Sequence, residues 1–261
     1  MVADLRMYGW RKRIAYISPS ILEITVADFF RLAPPGVGLV GLTSNIDHWV
    51  KEHFDAALER VVKDAASLAS RKVDYIIYAG APMLLSRGKG ADIELIASIR
   101  KETGLEATTS IRAALDAMAW LGVRRIALAS PYPPETQRLL VQFLRAHDID
   151  VVKEATMDVA FRALHEVHPQ QIYRFARDVF AAAPGAEALY LPCPQWQAQE
   201  TVEALELDLG VPVIAGDPAD FWAAFLALGI RDRIDGCGRL LRSLSEEAPG
   251  HRRDAGLRQV S

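Results

Sequence analysis

The sequence predicts an α/β protein of two pseudo-symmetric Rossmann-like (flavodoxin-like) domains with parallel sheets and an active site in the cleft between them. Three observations predict it. Apolar strand-type runs alternate with amphipathic helical stretches along the chain, the pattern of parallel sheets covered on both faces. Segments also recur in the same order. Lys12-Arg13-Ile14-Ala15-Tyr16-Ile17-Ser18-Pro19 matches Arg124-Arg125-Ile126-Ala127-Leu128-Ala129-Ser130-Pro131, and the run from Asp74 to Ala81 matches that from Glu187 to Pro194. Gly104-Leu105-Glu106-Ala107 through Gly122 likewise parallels Gly210-Val211-Pro212-Val213 through Gly229. Finally, two matched runs stop abruptly, at Ala79-Gly80-Ala81-Pro82 and at Pro192-Cys193-Pro194, where open α/β sheets bind ligands.

Residues 1–10 read as a leader and Arg11-Lys12-Arg13 as a solvated strand entrance. A first strand runs from Ile14 to Ile17, and a helix through Val26, Phe29 and Phe30 ends at Pro34-Pro35-Gly36. Val37 to Leu42 is a second strand. Phe54 to Leu68 is an amphipathic helix with Leu58, Val61, Val62 and Leu68 on one side. Val73 to Tyr78 is an apolar run interrupted only by Asp74, as in buried parallel strands. A short strand at Leu105 to Ala107 leads to a helix capped by Thr109 or Ser110 and running to Leu121. The second series has strands at Ile126–Ala129, Ile149–Val152, Glu187–Leu191 and Val211–Ile214. Its helices fall near Glu135–Ala146, Gln170–Ala182, Trp196–Leu209 and Pro218–Leu228. The expected division is 1–115 plus 217–243 as one domain, 116–216 as the other, and a mobile tail at 244–261.

At 261 residues, half of them hydrophobic, the chain can bury a sizeable core. Thirty Lys and Arg against 33 Asp and Glu exclude a strongly basic nucleic-acid binder. No apolar run has the length of a membrane span, and the N-terminus lacks the order of a signal peptide. A cytoplasmic protein without nucleic-acid or membrane partners is expected. Two cysteines, Cys193 and Cys237, make neither a disulfide framework nor a metal cluster.

Cys193 is the candidate for chemistry. A thiol where a strand turns into a helix faces free N–H groups that suit anions and lower a thiol pKa, and Pro194 fits the first helical position. In the repeat register Gly80 stands opposite Cys193. A site with a thiol on each side could take a proton from one face of a carbon and return it to the other; this chain keeps one thiol. Cys237, within Gly-Cys-Gly, reads as structural. His165-Glu166-Val167-His168 lacks metal-pair spacing, and Arg87-Gly88-Lys89-Gly90 is too short for a phosphate loop. Asp28, Asp47, Asp116 and Asp217 read as caps or solvated groups, and the aromatic residues at 221–225 as core.

On this layout the chain resembles the aspartate/glutamate racemase superfamily, and within it the arylmalonate decarboxylase and maleate isomerase group, over residues 13–243. The strongest stretch runs from Thr103-Gly104-Leu105 through Leu121-Gly122-Val123-Arg124-Arg125-Ile126-Ala127-Leu128-Ala129. Pro131-Tyr132, Gly210-Val211-Pro212-Val213, Pro218-Ala219-Asp220-Phe221-Trp222 and Gly238-Arg239-Leu240-Leu241 continue it. The resemblance implies a glycine at Gly80 as in the decarboxylase, where isomerases and racemases carry cysteine; Arg87-Gly88 supports that register. It implies that Cys193 is catalytic, that Tyr132 hydrogen-bonds a substrate carboxylate, and that Pro19 lines the site. It places Phe161 and Leu164 near an apolar pocket for the departing carboxylate. Ala81, Pro82 and Pro194 stand where the decarboxylase carries hydroxyls and an N–H for its oxyanion, and Leu22 stands where maleate isomerases carry asparagine.

Three functions follow from this reading. The first is a cofactor-independent decarboxylase of a malonate-like acid, in which an enediolate is protonated by Cys193. The second is an isomerase or racemase pairing Cys193 with a non-cysteine group. The third is a non-catalytic binder of small acids. The expected partner is a small carboxylate, no metal or organic cofactor is called for, and a homo-oligomer stays open.

Overall fold

The computed structural model describes residues 7–46 and 48–246. The leader at 1–6, Asp47 and the tail from 247 to 261 lie outside the described residues. The first half runs β1 (Lys12–Ser18), α1 (Glu23–Leu32), β2 (Val37–Thr43), α2 (Lys51–Ala69), β3 (Tyr75–Tyr78), α3 (Ala81–Leu85), α4 (Ala91–Thr103), β4 (Ala107–Thr109) and α5 (Ser110–Leu121). The second begins with β5 (Arg125–Ser130), α6 (Pro134–Ala146), β6 (Asp150–Thr156), a 3₁₀ segment (Phe161–Glu166), α7 (Pro169–Ala181) and β7 (Ala188–Leu191). It continues through a 3₁₀ turn (Ala198–Thr201), α8 (Val202–Leu209), β8 (Val213–Ala215), α9 (Gly216–Ala227) and α10 (Gly238–Arg242).

Two parallel four-stranded sheets have the same strand order, β2-β1-β3-β4 and β6-β5-β7-β8. The sequence repeat extends to hydrogen-bond register. Ile14 pairs with Tyr75 as Ile126 pairs with Ala188, and Ile76 pairs with Ala107 as Leu189 pairs with Val213. Even the strand entrances correspond. The Asp74 carboxylate accepts the Arg13 N–H at 2.8 Å, and Glu187 accepts the Arg124 N–H at 2.7 Å. The inner strands β3 and β7 are buried at every position, which is why they read as unbroken apolar runs rather than alternating ones.

Helices α5 and α9 start directly from β4 and β8 and pack against each other between the halves. The side chain of Thr109 caps α5 by accepting the Arg112 N–H at 3.2 Å. Helix α9 also packs on α1, β3 and β4, so Phe221 meets Tyr16 and Phe29 at centroid distances of 5.7 and 5.2 Å. Phe221, Trp222 and Phe225 are core, as read from their spacing.

Helix α4 has no counterpart in the sequence reading. Its buried positions are Ala91, Asp92, Leu95 and Ile99, but one of the four is an acid, and Ile93 faces solvent. Asp92 is tolerated there because Arg112 of α5 holds its Oδ2 at 2.7 and 2.8 Å. Strand β4 begins two residues later than read. Beyond α10, Ser243–Ser245 makes a 3₁₀ turn with Leu244 buried.

Candidate active site

The carboxyl ends of the inner strands converge on a cavity of about 40 Å³. After β1 it is lined by Ser18 and Pro19, after β3 by Ala79, Ala81 and Pro82, and after β4 by Ser110. The second half contributes Tyr132, Phe161, Leu164, Cys193 and Pro194, with Gly216 at the start of α9. Eight of the nine residues singled out from the sequence are thus brought to one wall. Gly80 is the exception: it is buried one step behind, between Ala79 and Ala81.

Cys193 is buried, with 8% of its surface exposed, and sits at φ 85°, in the left-handed region that few side-chain-bearing residues adopt. That conformation corrects the expectation of a strand running straight into a helix. Pro194 lies in a turn, not at a helical N1 position, and α8 starts only at Val202. Donors nonetheless surround the sulfur. The N–H groups of Gln195 and Trp196 and the hydroxyl of Tyr132 lie near enough to favour its charged form, although the Trp196 N–H donates to the Cys193 carbonyl at 3.1 Å. Their pull on the thiol pKa is outweighed by burial, with Asp217 adding repulsion, so the thiol is pushed up to about 12 rather than lowered. Cys193 is therefore a neutral acid throughout the physiological range.

Tyr132 is fixed from three sides. Its N–H donates to Ser130 Oγ at 3.2 Å, Thr156 Oγ1 donates to its carbonyl, and its ring meets Trp49 edge-on at 5.5 Å. Burial raises its own pKa well above the usual tyrosine range, so it too is a donor. Trp49 comes from the segment before α2, contacts Phe161 at 4.6 Å, and donates Nε1–H to the Val159 carbonyl at 3.2 Å. Phe161 and Leu164 also border an outer hollow of about 320 Å³, so the 3₁₀ segment partitions two spaces. Among the described residues no lysine, arginine or histidine lines the inner cavity. An anion bound there is held by neutral donors alone.

Gly80 has its own steric reason. A Cβ at this position would overlap the ring and hydroxyl of Tyr78, which is buried and whose oxygen has no hydrogen-bond partner. Gly80→Ala is expected to lower stability by about 1–3 kcal/mol, the usual range for overpacking. Urea unfolding checks it, and a variant as stable as the parent would show that Tyr78 yields freely.

Sequence reasoning missed Trp49, Ser18, Ser20, Ser110, Tyr190 and Gln195, all on the cavity wall. Ser110 was read only as a helix cap, the task Thr109 performs. Asp28 and Asp217 are a correction: they are 5% and 2% exposed instead of facing water, and Asp217 accepts a hydrogen bond from Tyr16. Asp116 is half exposed beside Arg112. His168 caps α7, His165 lies near Glu23, and no metal-binding cluster occurs among the described residues. Cys237 is buried at the start of α10.

Comparison with known proteins agrees with this geometry. The arylmalonate decarboxylase family profile matches residues 35–241. The arylmalonate decarboxylase of Bordetella bronchiseptica is 30% identical over 235 residues, 87% of this chain and 95% of that protein. A maleate isomerase of Geobacillus stearothermophilus is 21% identical over 201 residues, 74% of this chain and 79% of that protein. A crystal structure of arylmalonate decarboxylase, 27% identical, superposes with a TM-score of 0.78 and covers 88% of this chain and 98% of its own. With a buried thiol on a wall built from both halves, and a family match over most of its length, the chain belongs to the arylmalonate decarboxylase family and is an enzyme of the decarboxylase or isomerase type.

Proposed function

We propose that this enzyme decarboxylates a malonate-like acid without a cofactor, with Cys193 as the sole proton donor to carbon. The observation that carries this reading is one buried thiol, beside the hydroxyl of Tyr132, in a cavity whose opposite wall has no second thiol. One carboxylate rests on neutral donors, among them Tyr132 and the Ala81 amide, which has no acceptor within α3. The other carboxylate faces Phe161 and Leu164, where burial disfavours its charge. The C–C bond to it breaks, CO₂ departs, and the electron pair passes into an enediolate whose oxygens the donors stabilise as charge develops. The Cys193 S–H bond then breaks toward the α-carbon, leaving a monocarboxylate and a thiolate. The thiolate takes one proton from solvent to close the cycle. Approach from one side yields a single enantiomer.

The test is turnover of disubstituted malonates in heavy water. The expected result is one CO₂ released and one deuterium gained at the α-carbon per turnover, in one enantiomer. Deuterium exchange into a chiral acid without CO₂ would instead identify an isomerase or racemase, the second function compatible with the family. The family and the site speak for a soluble small-acid substrate, and no described helix is long and apolar enough to cross a membrane.

A further inference from the structure

Beneath the cavity floor lies a group of buried acids that the mechanism above does not use. Ser110 Oγ is 2.6 Å from Asp220 Oδ2. Tyr16 Oη is 2.9 Å from that same oxygen and 2.9 Å from Asp217 Oδ1. Thr25 and Asp28 of α1 lie beside Asp217, the Thr25 hydroxyl without a hydrogen-bond partner. Asp220 is fully buried, and Asp220 Oδ1 and Asp217 Oδ2 have no partner.

The proton count decides what this group can do. Tyr16 has one proton for two carboxylates, and Ser110 has one more. The charged or titratable groups around Asp217 and Asp220 are Asp28, Tyr16, Tyr75, Tyr132, Tyr190 and Cys193, none of them a cation. Arg31 acts on Asp28, and no cation is among the groups that shift Asp217 or Asp220. Buried carboxylates without a cation hold their protons. Burial raises Asp220 to about 7 and Asp217 well above the carboxylate range. A bound anion in the adjoining cavity would favour the neutral forms further.

Ser110 is the member that reaches the cavity wall. If Asp220 is ionised, the Ser110 proton is committed to it. If Asp220 is neutral, its Oδ2–H can donate to Ser110 Oγ, Tyr16 can donate to Asp217, and the Ser110 hydroxyl proton is released toward the cavity. Resting on the small-acid reading above, we propose that Ser110 is a substrate-binding hydroxyl that donates to the bound carboxylate, and that protonated Asp220 is the positioning residue that turns it to do so. This donor compensates for the apolar side chains of Ala81 and Pro82 on the same wall. It also makes acid binding take up a proton.

The experiment measures phenylacetate binding by calorimetry at pH 5.5–8.5, in two buffers of different ionisation enthalpy, alongside CO₂ release from a disubstituted malonate. The parent chain should bind with proton uptake and weaken as pH rises through about 7. Ser110→Ala should bind about 10- to 100-fold more weakly at pH 6, the range for a hydrogen bond to a charged group, and converge on the parent at pH 8.5. Ser110→Thr should restore binding. Asp220→Asn, whose amide always donates, should flatten the pH dependence and abolish proton uptake. Absence of phenylacetate binding, a Ser110→Ala loss that is equal at all pH values, or an Asp220→Asn profile that still bends near 7 would overturn the proposal. Proton-linked binding without CO₂ release would uphold it and sink the decarboxylase reading instead. CO₂ release with none of these pH effects would do the reverse.

Discussion

Cys193→Ala is expected to lower kcat for the protonated product by about 10²- to 10⁴-fold, the usual contribution of a positioned general acid. No other side chain on the wall combines a transferable proton with the same placement, because Tyr132 is held by burial far above neutral pKa and points at the sulfur. Alanine removes the buried sulfur beside the Tyr132 hydroxyl, so folding must be controlled separately. Cys193→Ser serves that purpose: it keeps an acceptor at φ 85° and offers a weaker acid. The pair should share low turnover, while the serine variant keeps the parent's thermal midpoint within a few degrees. Stereospecific deuterium incorporation at the parent rate in either variant would end the thiol's claim. Because burial pushes the thiol up to about 12, no loss of rate near neutral pH can come from its ionisation.

The second large effect concerns stability. The folded chain raises Asp28 and Asp220 to about 7 and Asp217 above the ordinary range, chiefly through burial. An unfolded carboxyl releases its proton near pH 4, so between about 4 and 7 the native state binds more protons than the unfolded one. Stability must then fall as pH rises through that window, by at most about 4 kcal/mol each for Asp28 and Asp220. Asp232 and Glu187 shift the other way, but both lie at the surface and are screened. Calorimetric melting should show a higher midpoint at pH 5.5 than at pH 8. Asp220→Asn should narrow that difference and raise the midpoint at pH 8. A midpoint that climbs from pH 5.5 to 8 would mean these acids are ionised in the native state.

Much of this fold was legible because its strands are buried on both faces and its repeat is retained at the level of register. Ile14 and Ile126 occupy equivalent positions in sequence and in sheet, so one half interprets the other. The cavity lining was legible where chemistry marks a turn: Cys193 between prolines and Tyr132 after Ser-Pro. What escaped was long-range. Nothing local shows that Asp217 and Asp220, spaced one helical turn apart, face Tyr16 and Ser110 from two other elements. An acid near a helix start ordinarily serves the helix dipole, and only the packing of α9 on the first half turns these inward. The helix expected directly after Cys193 failed for a local reason, the left-handed backbone there, which residue type alone does not announce.

The room beside Cys193 is about 40 Å³, well below the roughly 150 Å³ that accommodates a benzene ring. An acid bearing an aromatic group cannot reach the thiol while Trp49 stays wedged against Phe161 and Tyr132 with its indole N–H tied to Val159. That latch joins residues of both halves. For an acid of that size, turnover would require a breathing motion that springs it, and the frequency of that motion would set a ceiling on throughput however fast the bond-breaking becomes.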